Sequence, residues 1–190
     1  MMGSGAYHRP VPPRIITVTV SDTRTPSDDR SGEALREELR GFALLRHEIV
    51  PDDPARIAAL IRQVVDGDEA DAVVLSGGTG IAPRDQTFEA VEALFEKRID
   101  GFGEAFRRLS WEEIGPRAML SRATAGTVRT CFVASLPGST AAVRLGACAL
   151  IAPVLEHAVD LLRGRTGHGH GHGHGHGERL EDHGPSILPP

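Results

Sequence analysis

The sequence has few of the features that mark secreted or membrane-spanning proteins. Only two cysteines occur in its 190 residues, Cys131 and Cys148, and both lie in apolar segments, which favours buried reduced thiols over a disulfide or a metal site. No run of about 18 apolar residues is present, and residues 1–13 lack the apolar stretch of a signal peptide. We therefore expect a cytoplasmic protein without a membrane partner.

Basic residues are fewer than acidic residues. Lysine and arginine number 21 against 26 for aspartate and glutamate, a formal net charge of −5 that argues against nucleic acid as a partner, because such binding usually needs a basic face. The only lysine is Lys97, and no Gly-Lys-Ser/Thr sequence occurs, which excludes a Walker A loop. A Gly-X-Ser-X-Gly nucleophile elbow is absent as well.

The two ends of the chain differ in composition from the middle. Residues 14–165 have the size of one ordinary domain, and residues 1–13 are predicted to be a flexible arm. Residues 166–190 are predicted to be a disordered tail, because glycine and histidine alternate from Gly167 to Gly177 and have little to bury. Two interpretations of these histidines stay open: a solvated low-complexity segment, or loose capture of Ni²⁺ or Zn²⁺.

Between the ends, strand and helix patterns alternate. Strands are predicted over residues 14–20, 44–50, 72–76 and 131–136, with helices beginning near Ser31, Asp53, Thr87, Ser139 and Pro153. Ser31 and Asp53 are the predicted caps of the first two helices, with Pro54 at the first position of the second. His47 lies within a predicted strand, which favours a structural role. This alternation indicates an α/β fold in which helices cover both faces of a mostly parallel sheet. Ligands bind such folds beyond the carboxyl ends of the strands, so we expect the functional residues in the loops after these four strands.

The loop after the third predicted strand is rich in glycine. It reads Ser76-Gly77-Gly78-Thr79-Gly80-Ile81-Ala82-Pro83-Arg84-Asp85. Accessible N–H groups in such a loop, followed by a helix N-terminus, suit a phosphate group. The same sequence is also typical of a tight connection between a strand and a helix.

Carboxylates follow two of the predicted strands. Asp52 comes after the second strand, and Asp85 closes the glycine-rich loop. If both loops converge on one sheet edge, these carboxylates would hold Mg²⁺ against a bound phosphate. The simpler alternative for Asp85 is capping of the helix that begins near Thr87.

Taken in order, six short motifs resemble the MoaB/MogA family of molybdenum cofactor biosynthesis proteins, which is also represented by the G domains of gephyrin and its plant counterpart. The motifs are Val20-Ser21-Asp22-Thr23, Asp29-Arg30-Ser31-Gly32, Val50-Pro51-Asp52, Gly77 to Gly80 with Pro83-Arg84-Asp85, Met119-Leu120-Ser121-Arg122 with Ala125-Gly126, and Leu136-Pro137-Gly138-Ser139. Residues 101–104 and 106–115 look most like the MoaB branch of the family.

This resemblance implies a three-layer α/β/α fold with molybdopterin as the ligand. Members of the MogA type are adenylyltransferases, which transfer AMP from Mg-ATP to the terminal phosphate of molybdopterin and release pyrophosphate. The resemblance places the catalytic and Mg²⁺-binding aspartates at Asp52 and Asp85, and it leaves Arg84 and Arg122 available to offset ligand charge. The implied ligand-binding residues are Gly77, Gly78, Thr79, Gly80, Ser121, Pro137, Gly138 and Ser139, with Ser21 and Asp22 as weaker candidates.

The resemblance also bears on assembly. It implies homo-oligomers, with a hexamer favoured for the MoaB branch and a trimer as the alternative, and it implies other molybdenum cofactor enzymes as partners. Trp111 is then either an interface residue or a core residue. One departure from the family pattern is Phe88, where members often have proline at the first helical position, and we expect little functional change from it.

The sequence leaves three candidate functions. The leading hypothesis is a molybdopterin adenylyltransferase of the MoaB type. The alternative is a non-catalytic molybdopterin-binding or scaffold protein of the same pathway. A nucleotide hydrolase of the same fold, as in competence-damage proteins, is disfavoured because those proteins carry a further domain.

Overall fold

The computed structural model describes residues 11–165. The predicted tail, and residues 1–10 of the predicted arm, lie outside this range. Pro13 is buried, and its carbonyl accepts a hydrogen bond of 2.9 Å from the Ala43 N–H.

A six-stranded sheet of order β2-β1-β3-β6-β5-β4 forms the middle layer. Strands β2, β1, β3 and β6 pair in parallel, whereas β5 is antiparallel to β6 and β4 is antiparallel to β5. The prediction of a mostly parallel sheet is confirmed, and an antiparallel edge is added to it. The strands are β1 (Arg14–Val20), β2 (Ala43–Val50), β3 (Ala72–Ser76), β4 (Lys97–Arg98), β5 (Thr124–Val128) and β6 (Cys131–Leu136).

Helices cover both faces of the sheet. They are α1 (Arg30–Glu38), α2 (Pro54–Asp66), α3 (Thr87–Glu92), α4 (Asp100–Ile114), α5 (Thr140–Gly146) and α6 (Leu155–Leu162), with a 3₁₀ segment Gly115–Leu120 after α4 and one π-helical turn Ala147–Ile151 after α5. Successive side chains of a strand point to opposite faces. Ile15 accordingly packs with α1, α4, α5 and α6, while Ile16 packs with α2 and α3. The predicted three layers are confirmed.

The start of α2 agrees with the local sequence pattern. At α2, Asp53 is the predicted cap, because its Oδ1 accepts hydrogen bonds from the N–H groups of Ala55 (2.8 Å) and Arg56 (3.2 Å). Pro54 occupies the first helical position as predicted.

At α1, the predicted cap Ser31 is wrong, because the helix begins at Arg30 and Ser31 lies inside it. Asp29 caps it instead: Oδ1 accepts from the Gly32 N–H (2.8 Å), and Oδ2 accepts from Thr19 Oγ1 (2.8 Å) and lies 2.8 Å from His47 Nε2. Burial would raise the pKa of Asp29, but these bonds lower it below the ordinary value. His47 thus has the structural role that its place in a strand predicted.

Three elements were not predicted from the sequence: β4, α4 and β5. The β5 pattern is weak because it contains Gly126, where the structure has no room for a side chain: an added Cβ would overlap the Phe95 ring and approach the Lys97 carbonyl. A tight turn at Arg129, which has φ of +52°, then leads into β6.

The two cysteines differ in their surroundings. Cys131 is buried in the core, and burial raises the pKa of its thiol to about 12. Cys148 is exposed, so its predicted burial is wrong; in the π-helical turn Ala147 and Ile151 face the core and Cys148 faces outward. Both thiols are free, as predicted.

Large apolar side chains lie exposed around the end of α4. Trp111 is 47% exposed, which removes the core alternative for this residue, and Ile114, Met119 and Leu120 are also exposed.

Among the described residues, no single helix is long and apolar enough to cross a membrane; Thr140–Ile151 and Leu155–Leu162 meet that criterion only as a pair bent by 57°.

An ion-pair cluster holds the amino end of β1 at the edge of the sheet opposite the carboxyl ends. Asp71 Oδ2 accepts hydrogen bonds from the Arg14 backbone N–H (2.7 Å) and side chain (3.3 Å), and Arg163 pairs with the other oxygen. Burial would raise the pKa of Asp71, but the Arg14 bonds and the nearby charges of Arg14 and Arg163 lower it below the ordinary value.

We therefore expect Asp71→Asn to reduce the free energy of unfolding by about 2 kcal/mol at neutral pH. Because the pKa of Asp71 is lowered in the folded state, its contribution is present above the unfolded-state pKa and disappears as the pH falls below about 4. Urea titrations at neutral and acidic pH measure this difference. The exposed Asp66, paired with Arg129, supplies the control variant Asp66→Asn. An equal loss of stability by Asp71→Asn at every pH would contradict the expectation.

Candidate functional site

The loops after β1, β2, β3 and β6 meet at the carboxyl edge of the sheet, where the sequence placed the site. Backbone hydrogen bonds join them in pairs. The Ser21 N–H donates to the Val50 carbonyl (2.8 Å), and the Gly77 N–H donates to the Leu136 carbonyl (2.9 Å). Parallel strands bring these loops together because their carboxyl ends share one edge.

The glycine-rich loop needs glycine at its first two positions. Gly77 and Gly78 have φ of +109° and +61°, a region that side chains disfavour. A side chain at Gly77 would run into the Val20 carbonyl, and one at Gly78 would run into Asp52 Oδ2 and Thr87 Oγ1. The chain therefore folds tightly against both neighbouring loops.

The same loop presents backbone donors. Within residues 11–165, the N–H groups of Gly78, Thr79, Gly80 and Ile81 have no hydrogen-bond acceptor. Consecutive free N–H groups form a concave surface that binds anions. This observation favours the phosphate interpretation of the loop over a simple connection.

Asp52 joins three of the loops. Its Oδ1 accepts from the Gln86 N–H and from Thr87 Oγ1, both at 3.3 Å, while its own N–H donates to Asp22 Oδ1 (3.1 Å). Burial is the main cause that raises the pKa of Asp52, the bonds from Gln86 and Thr87 oppose it, and the charges of Asp85 and Asp22 add to it. Its Oδ2 accepts no hydrogen bond from any described residue and lies beside Gly78.

Asp85 belongs to the glycine-rich loop and not to the helix that follows. Its Oδ2 accepts from the Ala82 N–H (3.0 Å) and lies against Gly80. Helix α3 is preceded by Gln86 and has no side-chain cap, so the alternative of capping by Asp85 is wrong. The negative charge of Asp85 contributes to the raised pKa of Asp52.

A cavity of about 410 Å³ lies beside the loop. The predicted residues that line it are Gly77, Gly78, Thr79, Gly80, Asp85, Ser121, Pro137, Gly138 and Ser139. Asp52, Asp22 and Ser21 do not line it. Asp52 and Asp22 are joined to each other beside the loop, whereas Ser21 Oγ accepts from the N–H groups of Thr23 and Arg24, both at 3.2 Å.

The opposite wall of the cavity was missed from the sequence. Its residues come from α4, the 3₁₀ segment and α5: Phe106, Ser110, Ile114, Arg117, Leu120 and Ala142. The unpredicted helix α4 supplies half of them, and no local pattern indicated that this helix would face the glycine-rich loop. These residues combine apolar side chains with one cation, Arg117.

The family resemblance left two arginines, Arg84 and Arg122, available to offset ligand charge. The structure places them in different surroundings. Arg84 is exposed. Arg122 is engaged within the protein: its guanidinium bonds the carbonyls of Gly80 (2.6 Å) and Asp85 (3.0 Å) and forms an ion pair with Glu89. That ion pair holds the pKa of Glu89 below its ordinary value.

The donor set fits Mg²⁺ in part. Mg²⁺ takes oxygen ligands and is usually held by one or two carboxylates together with waters and substrate phosphates. Asp52 Oδ2 and Asp85 Oδ1 accept no hydrogen bond within residues 11–165, so both oxygens are accessible as ligands. The described residues contain no group of three or more acidic, histidine or cysteine side chains arranged to hold a metal ion by themselves.

Comparison with known proteins assigns the family. The model of the "probable molybdopterin binding domain" family matches residues 16–157. A molybdenum cofactor biosynthesis protein B from Bacillus cereus is 48% identical over 143 residues, which cover 74% of this chain and 85% of that protein. The protein of the same name from Bacillus subtilis is 46% identical over 165 residues, covering 82% and 95%.

Solved structures agree with this assignment. A crystal structure of a molybdenum cofactor biosynthesis protein B is 45% identical, with a TM-score of 0.78 over 82% of this chain and 98% of that one. The tungsten cofactor synthesizing protein MoaB from Pyrococcus furiosus is 37% identical, with a TM-score of 0.73 over 82% and 99%. The match to the family model, over residues 16–157, includes all the loops described above. The chain belongs to the MoaB/MogA family of molybdenum cofactor biosynthesis proteins.

Proposed function

We propose that the protein acts in molybdenum cofactor biosynthesis by transferring AMP from Mg-ATP to the terminal phosphate of molybdopterin. The observation that carries this proposal is the placement of the Asp52 and Asp85 carboxylates against Gly78 and Gly80 of a glycine-rich loop with four free N–H groups. The family membership supports the pathway and the ligand.

The reaction needs positioning more than proton transfer. A terminal phosphate oxygen of molybdopterin forms a bond to the α-phosphorus of ATP, and the bond from that phosphorus to the bridging oxygen breaks. Pyrophosphate leaves with the electron pair, so no oxidant or reductant takes part. The attacking phosphate is already ionised, and the residues therefore have to align the two phosphates and offset their charge.

The chain's own residues match these tasks. The N–H groups of the glycine-rich loop donate to phosphate oxygens, and Ile114 and Leu120 offer apolar surface to the pterin ring. Asp52 and Asp85 would hold Mg²⁺ through the oxygens that accept no other hydrogen bond. Bound Mg²⁺ offsets the negative charge of the phosphates.

Replacing Asp85 tests the proposed chemistry. Asp85→Asn keeps the size of the side chain and removes one negative charge, so we expect pyrophosphate release from Mg-ATP in the presence of molybdopterin to fall by about a hundredfold or more. The melting temperature should stay close to that of the unmodified chain, because Asp85 caps no helix. The matched control is Asp66→Asn, which removes an exposed carboxylate that pairs with Arg129.

The same assay separates enzyme from scaffold. Pyrophosphate release by the unmodified chain supports the transferase. Molybdopterin binding without pyrophosphate release would instead show a non-catalytic binding protein with the same site. Turnover by Asp85→Asn at the native rate would overturn the role of this carboxylate.

Arg117 is the proposed cation for the anionic group of the ligand. It lines the same cavity as the glycine-rich loop, is exposed, and makes no ion pair with any described residue. Arg122, by contrast, uses its guanidinium on loop carbonyls and Glu89. A planar guanidinium in the same cavity as the free N–H groups would contribute charge-assisted hydrogen bonds to a phosphate.

We expect Arg117→Gln to bind molybdopterin about tenfold more weakly, the change typical of losing one charge-assisted hydrogen bond. Equilibrium titration at low and high salt measures this change, and the difference should shrink at high salt. Arg108→Gln is the control, because Arg108 is exposed on α4 and lines no part of this cavity. Equal affinities for the two variants would exclude Arg117 from the site.

We also propose that the chain forms a homo-oligomer through the exposed apolar residues near the end of α4. Trp111 is 47% exposed and Met119 is 65% exposed, and self-association would cover these apolar side chains.

Trp111→Glu should lower the mass measured by analytical ultracentrifugation, because a charge at a buried interface is unfavourable. Val154→Glu, at a side chain 46% exposed on another part of the surface, is the control and should leave the mass unchanged. A monomeric unmodified chain would contradict the proposal.

A further inference from the structure

Arg122 lies against the glycine-rich loop and bonds its carbonyl groups. Its Nη2 donates to the carbonyls of Gly80 (2.6 Å) and Asp85 (3.0 Å), and Nε lies 3.4 Å from the Thr79 carbonyl. Its Nη1 pairs with Glu89. Four of the five guanidinium N–H groups are thus used within the protein, which leaves no free pair of donors for a ligand.

These bonds fix the direction of the neighbouring N–H groups. In a trans peptide the carbonyl and the following N–H point in opposite directions, and the described residues contain no cis peptide bond. The peptide between Asp85 and Gln86 shows the effect directly: its carbonyl accepts from Arg122, while its N–H donates to Asp52 on the other side.

The same rule applies at the next two peptides of the loop. Because the carbonyls of Thr79 and Gly80 face Arg122, the N–H groups of Gly80 and Ile81 face away from it. Neither N–H has an acceptor within residues 11–165. Arg122 therefore leaves two adjacent donors unpaired and oriented.

Phe88 supports the guanidinium from α3. The Arg122 Cζ atom lies 4.9 Å from the centre of the Phe88 ring, within the range of a cation–π contact. Phe88 departs from the family pattern, and the sequence led us to expect little functional change from it. In the structure its ring is the surface that keeps the guanidinium plane in place.

We propose that Arg122, held by Phe88, is a positioning residue that orients the Gly80 and Ile81 N–H groups toward an anionic group of the ligand. The identity of that ligand, molybdopterin, rests on the proposed function. Lysine cannot replace Arg122, because a single ammonium group cannot reach carbonyls on both sides of the loop while pairing with Glu89.

The test uses Arg122→Lys, which keeps the charge and removes the planar fork. Amide hydrogen exchange of Gln86 and Thr87 in the ligand-free protein reports on the loop itself, since both amides are bonded across it. We expect exchange at both to become about tenfold faster or more, and molybdopterin affinity to fall about tenfold. Phe88→Leu, which retains apolar volume and removes the ring face, should shift both measurements in the same direction by less.

Arg108→Lys is the control and should change neither measurement. Native exchange rates in Arg122→Lys would overturn the positioning role, and so would faster exchange combined with native molybdopterin affinity. If Arg122→Lys did not fold, Phe88→Leu would decide by the same two measurements. If the unmodified chain bound no molybdopterin, the proposed function would fall, while the exchange rates would still decide whether Arg122 holds the loop.

Discussion

The parallel pairing of β1 with β2 on one side and β3 on the other is the constraint on which the site depends. Three strands that run the same way deliver their following loops to one edge, so Asp22, Asp52 and the glycine-rich loop meet there. Side chains then join loops that strand pairing has already brought close. Asp52 bonds toward the β1 loop through its N–H and toward the β3 loop through its carboxylate.

The glycine-rich loop is held in place by its surroundings. Positive φ at Gly77 and Gly78 has little steric cost because neither residue has a Cβ, but glycine loses more backbone freedom on folding than other residues. Arg122 offsets that loss by donating hydrogen bonds to the Gly80 and Asp85 carbonyls, and the Asp85 carboxylate accepts a hydrogen bond from the Ala82 N–H. A loop ordered before binding requires less ordering when the ligand arrives, which favours affinity.

Charge at the site has two signs. The negative charges of Asp85 and Asp22 add to the raised pKa of Asp52, and Asp85 also lines the cavity. Arg117 and the free N–H groups lie along the cavity. An acidic chain can therefore bind an anion, because the carboxylates are placed to share a divalent cation with it and the cavity wall supplies positive charge of its own.

The sequence by itself determined the parts of this protein that depend on local patterns. Apolar runs gave β1, β3 and β6, the Asp53-Pro54 pair gave the start of α2, and the order of short motifs gave the family. Only the tertiary structure decided which residues face the glycine-rich loop. Arg122 lies 42 positions from Gly80 along the chain, and half of the lining residues missed from the sequence come from α4, whose sequence does not indicate which loop it faces. Patterns report on residues a few positions apart, whereas these contacts exist only because the sheet order and the packing of α4 bring distant segments together.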